Sequence, residues 1–212
     1  RKQRVETYRN KVVGEHSLWP VWRQDLPQGK QVEAAALQRL KLWARFFDPD
    51  FKHSNLVSRL ALQLYDGLPA QTEVNGNRSR QREVLRIAAL LHDVGRSKSE
   101  KGHHKKSVRL IGKWTAPLGL RPRDLQLASA IARYHRGALP RTGQKTLAGL
   151  SAGQRAEVDR LAGILRFANA FDSNHQGRIR RLKVEQQGQY FRVAAEGYSA
   201  RDRMADDIAG AR

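Results

Sequence analysis

The longest uninterrupted apolar run in the chain, Ile87-Ala88-Ala89-Leu90-Leu91, leads directly into His92 and Asp93. Five apolar residues in a row belong inside a folded domain, so the two ionisable groups behind them are carried inside as well. A buried carboxylate costs on the order of several kcal/mol unless it is paired, hydrogen-bonded or bound to a metal. Whatever this chain folds into must supply His92 and Asp93 with partners. The run is far short of the ~20 residues that cross a bilayer, and no basic-then-apolar leader precedes it. A soluble chain with no membrane association is expected.

Apolar residues recur at helical spacing on both sides of this run. Val32, Ala35, Ala36, Leu40, Trp43 and Phe47 mark a helix that Asp48-Pro49-Asp50 ends. Leu56, Val57, Leu60, Leu64 and Leu68 mark a second, and Val84, Ile87, Ala88 and Leu91 a third, after a polar break at 71–78 that puts Arg78, Arg80 and Arg82 on or beside a loop. Further stripes pass through Val108, Leu110, Ile111 and Trp114, through Leu125, Ala128, Ile131 and Ala132, and through Val158, Leu161, Leu165 and Ala168. The period shortens after Gly177: Ile179, Leu182 and Val184, then Tyr190, Arg192 and Ala194, flank Gln187-Gly188-Gln189 as two strands would flank a turn. A mainly α helical bundle with a small β-hairpin near the C-terminus is predicted. Its expected parts are a basic helical arm and loop over 1–30, a helical domain over 31–176, and a hairpin and tail over 177–212 packed on that domain. The chain opens on Arg1 rather than Met, so a preceding segment of a parent protein is expected.

His53 opens the second helix at one end of its buried stripe. Gly95 reads as the glycine that ends the third. Asp172 follows Ala168 and Leu165 by four and seven residues, and His135 follows Ile131 by four, so both point inward. Each residue alone has an ordinary explanation as a cap, a core histidine or half of an ion pair. Together, His53, the His92-Asp93 pair and Asp172 bring two imidazoles and two carboxylates to the inward faces of three helices, a mixed nitrogen and oxygen set suited to Mn, Fe, Co, Ni or Zn. The chain has no Cys, so any metal must be held by His, Asp and Glu; this also fits a cytoplasmic setting. His104 and His135 could complete a second metal position.

The order His53, then His92-Asp93, then Asp172 resembles the HD superfamily of metal-dependent phosphohydrolases. The blocks Gly102-His103-His104-Lys105-Lys106-Ser107, Ala132-Arg133-Tyr134-His135-Arg136 and Leu165-Arg166-Phe167-Ala168-Asn169-Ala170-Phe171-Asp172 are similar to the C-terminal HD-like domain of the exopolyphosphatase and guanosine pentaphosphate phosphatase (Ppx/GppA) family. The resemblance spans about residues 35–195. It implies an HD-like bundle with His53, His92, Asp93 and Asp172 as ligands of a divalent metal, Mg included among the candidates, and with His104 and His135 as weaker carry-overs. Two departures stand out. That family places phosphatase chemistry in an N-terminal pair of actin-like domains, which nothing here resembles, and Lys106 stands where the family block usually reads His.

The charge agrees with a phosphate-rich partner. Lys plus Arg number 40 against 20 Asp plus Glu, a formal net charge of +20. Arg96, Lys98, Lys101, Lys105, Lys106, Arg109 and Lys113 crowd behind His92-Asp93 with only Glu100 against them. Arg96, Lys98, Lys101, Lys105, Lys106, Arg133 and Arg136 are the candidate substrate-binding residues. Asp93, Lys98 and Arg136 are the candidate catalytic ones: a metal on Asp93 would acidify water, and the cations would offset charge developing on the phosphoryl group. No Gly-x-x-x-x-Gly-Lys-Ser/Thr, Gly-x-Ser-x-Gly or His-Glu-x-x-His motif occurs. The expected function is metal-dependent hydrolysis of a nucleotide, guanosine polyphosphate or polyphosphate. The alternative is a non-catalytic module binding polyphosphate or nucleic acid. Oligomeric state stays open, a dimer included.

Overall fold

The computed structural model describes residues 29–69, 78–199 and 204–211. The arm expected over 1–30 lies outside the described residues except for Gly29 and Lys30, which open the first helix.

Helix α1 spans Gly29–Phe47 and buries Ala36, Leu40 and Ala44, three residues four apart on one stripe. Helix α2, Phe51–Gly67, starts where the side chain of Asp50 accepts from the backbone N–H of His53. Helix α3, Arg78–Leu91, is apolar nearly all round in its last two turns, where Val84, Leu85, Ile87, Ala88, Ala89, Leu90 and Leu91 are all buried. A helix of that kind belongs at the centre of a bundle. It packs on α2, on α5 (Pro122–Arg133) and on α6 (Ala152–Ala170). Pro122 occupies the first turn of α5, and a capping box between Ser151 and Gln154 opens α6. Between α3 and α5 lie a 3-10 turn, Val94–Ser97, and the short helix α4, His103–Ile111.

Strands β1 (Arg181–Gln187) and β2 (Tyr190–Glu196) pair antiparallel in the register Arg181↔Glu196 to Gln187↔Tyr190. Their inner residues, Leu182 above all, pack on α2. The approach is close at Gly67, where an added Cβ would lie 2.6 Å from Val184 Cβ. Helix α7, Met204–Gly210, ends the described chain against α6. The mainly α bundle with a late hairpin is as the periodicity predicted.

Two local expectations are corrected. Gly95 does not end α3 in a left-handed conformation; it sits inside the 3-10 turn, where an added Cβ would meet His103 O at 2.2 Å and Ser107 N at 2.4 Å. It is a close-approach glycine that lets α4 lie against the turn. Arg78, Arg80 and Arg82 are not on a loop but in the first turns of α3, where each has partners of its own.

Candidate metal centre

The C-terminal end of α3 meets the start of α2, the start of α4, the end of α5 and the end of α6. Each contributes an ionisable side chain. His92, Asp93, His103 and His135 are all buried there, His92 completely. Asp93 Oδ1 lies 3.1 Å from His103 Nε2, 3.5 Å from His92 Nε2 and 3.5 Å from His135 Nε2. The Nε2 atoms of His103 and His135 are 3.2 Å apart.

The other nitrogen of each ring decides what these distances mean. His92 Nδ1 lies 2.7 Å from Ala89 O, His103 Nδ1 2.8 Å from Glu100 O, and His135 Nδ1 2.9 Å from Ala132 O. A carbonyl only accepts, so each Nδ1 must carry the proton and donate it. In a neutral ring that leaves a lone pair on Nε2. Burial pushes His92 and His135 below the ordinary imidazole pKa, so both are neutral at pH 7. Burial also opposes protonation of His103, but Asp93 beside it outweighs this and raises its pKa. Burial would raise Asp93 as well; the neighbouring imidazoles hold it well below the usual carboxylate range. A proton on His103 relieves one contact. The lone pairs of His92 and His135 still face an anionic oxygen, and His92 Nε2 is a buried atom without a hydrogen-bond partner.

Such an arrangement fits a cation. The donor atoms of His92, Asp93 and His135 lie within 4.8 Å of one another. Imidazoles whose Nδ1–H groups are fixed by backbone carbonyls have the tautomer and orientation of metal ligands. The nitrogen-rich set suits Mn, Fe, Co, Ni or Zn better than Mg, which takes oxygen.

His53 and Asp172 adjoin this nest. His53 Nδ1 is 2.8 Å from Asp172 Oδ2, its Nε2 is 3.0 Å from Asn169 Oδ1, and its ring centroid is 5.4 Å from that of His92. Asp172 Oδ1 also accepts from Gly177 N–H at 2.7 Å. His104 lies to one side. Its ring centroid is 6.3 Å from that of His135, and burial with Arg133 nearby lowers its pKa to about 4. The neighbouring His103 takes the place beside Asp93.

A cavity of about 380 Å3 opens over the nest, lined by Asp93, His103 and His135 and by Arg96, Arg136 and Arg166. Asp206 and Asp207 of α7 line it as well, and Ser173 donates to Asp207. Lys98, Lys101 and Lys105 are exposed, Lys106 and Arg133 partly so. Sequence reasoning missed His103, His175, Asn169 and Arg166. For His103 a signal existed: Ser107 and Ile111, four and eight residues on, share its buried face.

The sequence model of the family described as Ppx/GppA phosphatase, domain III, matches residues 35–198. Comparison with curated proteins gives no match. Among the described residues, no helix is long and apolar enough to cross a membrane.

Proposed function

For a chain that belongs to the Ppx/GppA phosphatase family through its domain III, we propose divalent-cation-dependent hydrolysis of a phosphate-rich substrate at an HD-type centre in residues 31–176. The observation that carries this is the convergence of the His92 and His135 Nε2 lone pairs on Oδ1 of Asp93, with His92 Nε2 buried and without a hydrogen-bond partner. His92, Asp93 and His135, with His103 at contact distance and the His53–Asp172 pair behind, would hold the ion. A bound divalent ion would supply Lewis acidity toward a phosphoryl oxygen. Arg96, Arg136 and Arg166, which line the cavity, would hold the anion and offset charge that develops as the phosphoryl group leaves. Arg166 also donates to Tyr134 O and to Gly137 O, which fixes the segment bearing His135 and Arg136. Lys98, Lys101, Lys105 and Lys106 would extend the binding of a longer chain, so nucleotide, guanosine polyphosphate and polyphosphate all suit the site.

The test is hydrolysis of polyphosphate, a guanosine polyphosphate and a nucleoside triphosphate with and without Mn. Mn-dependent turnover that Asp93→Asn abolishes is expected. Turnover unchanged in that variant, or none with any substrate and metal, contradicts the proposal.

The second reading is a non-catalytic module for polyphosphate or nucleic acid. It draws on the exposure of Lys98, Lys101 and Lys105, none of which joins an ion pair among the described residues. Neutralising the four lysines should weaken polyphosphate binding and flatten its salt dependence by about 0.7 log units per lost contact on a single-stranded polyanion. Equal losses for polyphosphate and duplex DNA would favour the second reading.

A further inference from the structure

The cavity over the nest is lined by groups of both signs. Arg96 comes from the 3-10 turn, Arg136 from the segment after α5 and Arg166 from α6, while α7 brings Asp206 and Asp207. The two sets share a space without neutralising each other. Arg96 lies 2.9 Å from Glu100 and 3.3 Å from Asp93, and Arg166 donates to the backbone at Tyr134 and Gly137. Among the described residues Arg136 joins no ion pair. Asp206 joins none either, and the partner of Asp207 is the hydroxyl of Ser173 at 2.6 Å.

The cavity-lining residues of this segment are Asp206, Asp207, Gly210 and Ala211, two pairs four residues apart and so on one helix face. Gly210 and Ala211 send little or no side chain inward, so the carboxylates are what α7 presents. Both aspartates stand in its first turn, where negative charge also suits the helix dipole. That accounts for acidic residues at this end of α7 but not for their facing an arginine-lined cavity. The attachment of α7 is slight. It has seven residues, fewer than the ~12–15 that an isolated helix needs in water, so docking is what keeps it folded. The docking consists of its packing on α6, the partly buried Ile208 and the bond from Ser173 to Asp207. Elements held by so few apolar contacts open at a small free-energy cost.

We propose that α7 is a built-in competitor for the anion: Asp206 and Asp207 take up part of the cavity that phosphate groups would fill, and α7 undocks when a phosphate-rich ligand enters. The two carboxylates lower the positive potential that Arg96, Arg136 and Arg166 create. An incoming phosphate meets like charge until α7 leaves. The docked helix therefore raises the ligand concentration at which the cavity fills. The inference rests on these arginines being the anion site, and its test separates the two.

Binding of tripolyphosphate to the whole, metal-free chain is measured by calorimetry, and the exchange of α7 amides with deuterium is followed with and without the ligand. Asp206→Asn/Asp207→Asn removes both charges and keeps the shape, and Ile208→Ala loosens the docking and keeps the charges. Glu33→Gln/Asp159→Asn makes the same change in net charge at exposed residues outside the cavity. Arg136→Ala reports on the arginine site itself. Both α7 variants should bind tripolyphosphate at least about tenfold more tightly than the wild type. The Glu33→Gln/Asp159→Asn protein should stay near wild-type affinity, and the ligand should speed amide exchange in wild-type α7. Wild-type affinity in either α7 variant overturns the proposal, and so does equal tightening in Glu33→Gln/Asp159→Asn. Slower exchange of α7 with ligand also overturns it, since the helix would then close on the anion. In each of these cases weaker binding by Arg136→Ala leaves the arginine site standing. If none of the proteins binds tripolyphosphate, both the competitor and the arginine site fall.

Discussion

The two ends of α3 carry similar loads of polar groups and treat them in opposite ways. At its start, Arg78 donates to Tyr65 O and Leu68 O, each at 2.9 Å, Arg80 reaches Asp124 at 2.8 Å and Glu157 at 3.3 Å, and Arg82 grips both oxygens of Asp66 at 2.8 Å. At its end, His92 Nε2 is buried without a hydrogen bond and faces the Asp93 carboxylate at 3.5 Å. Both ends belong to one helix of a strongly basic protein. The difference teaches that charge alone does not mark a site: where every polar atom has a partner the group holds the fold, and where partners are missing something is left for a ligand to supply.

The comparison breaks most visibly at Gly95. The substitution Gly95→Ala drives a Cβ into His103 O and Ser107 N, so α4 must move and His103 with it. Ser107 Oγ, which accepts from Gly95 N and donates to His92 O, would move too. A loss of about 3 kcal/mol in denaturant unfolding is expected, at the upper end for overpacking, together with weakened metal uptake. Wild-type stability and metal uptake would show that α4 does not depend on this contact.

The other end should fail differently. Arg80→Ala leaves the buried Asp124 and the partly buried Glu157 short of a partner, though Arg121 still reaches Asp124 at 2.7 Å. A destabilisation of about 1–3 kcal/mol is expected, with metal binding per folded molecule unchanged. A matching fall in metal affinity would mean that the two ends are coupled through α3 and not independent.

These contrasts also explain what could be read from the sequence. The stripes gave α1, α2, α3, α5 and α6 because each helix buries one continuous face, and they carried His53, His92, Asp93 and His135 inward with them. His103 and His104 were harder to separate, since adjacent helical positions differ by about 100° and α4 is too short for its stripe to choose. His175 had no periodic signal: a turn with a left-handed residue places it, and that conformation depends on Asp172, Asp50 and His53, all distant or irregular in spacing. Arg78, Arg80 and Arg82 read as loop residues because what holds them is distant in sequence: backbone carbonyls of Tyr65 and Leu68 for Arg78, and for Arg80 and Arg82 carboxylates on α2, α5 and α6, up to 77 residues away.

The smallest expected effect is on pH dependence in the presence of chelator. His92 and His135 have folded pKa values below the ordinary 6.5, so the unfolded chain takes up protons first as pH falls. Their contribution to stability is full above pH 6.5 and declines below it. His103, with its raised value, works in the opposite sense: its contribution is full below pH 6.5 and is lost as pH rises through its folded pKa. His104, lowered to about 4, works in the same sense as His92 and His135. Three against one, the metal-free protein should lose stability between pH 7 and 5, and His135→Gln should flatten that slope. The Arg80→Ala variant should keep the wild-type slope. Parallel slopes in wild type and His135→Gln would show that the buried ring is not what titrates.

The central claim, that the orphaned end of α3 holds a divalent cation through Asp93, is tested most directly by thermal unfolding of wild type and Asp93→Asn over a range of Mn(II) concentrations. An ion bound only by the folded state adds about 2.7 kcal/mol at a concentration a hundredfold above its Kd. The wild-type Tm should therefore climb steadily with Mn(II) while that of Asp93→Asn stays level. A wild-type Tm indifferent to Mn(II) and to Fe, Co, Ni and Zn, or an equal climb in both proteins, would contradict it.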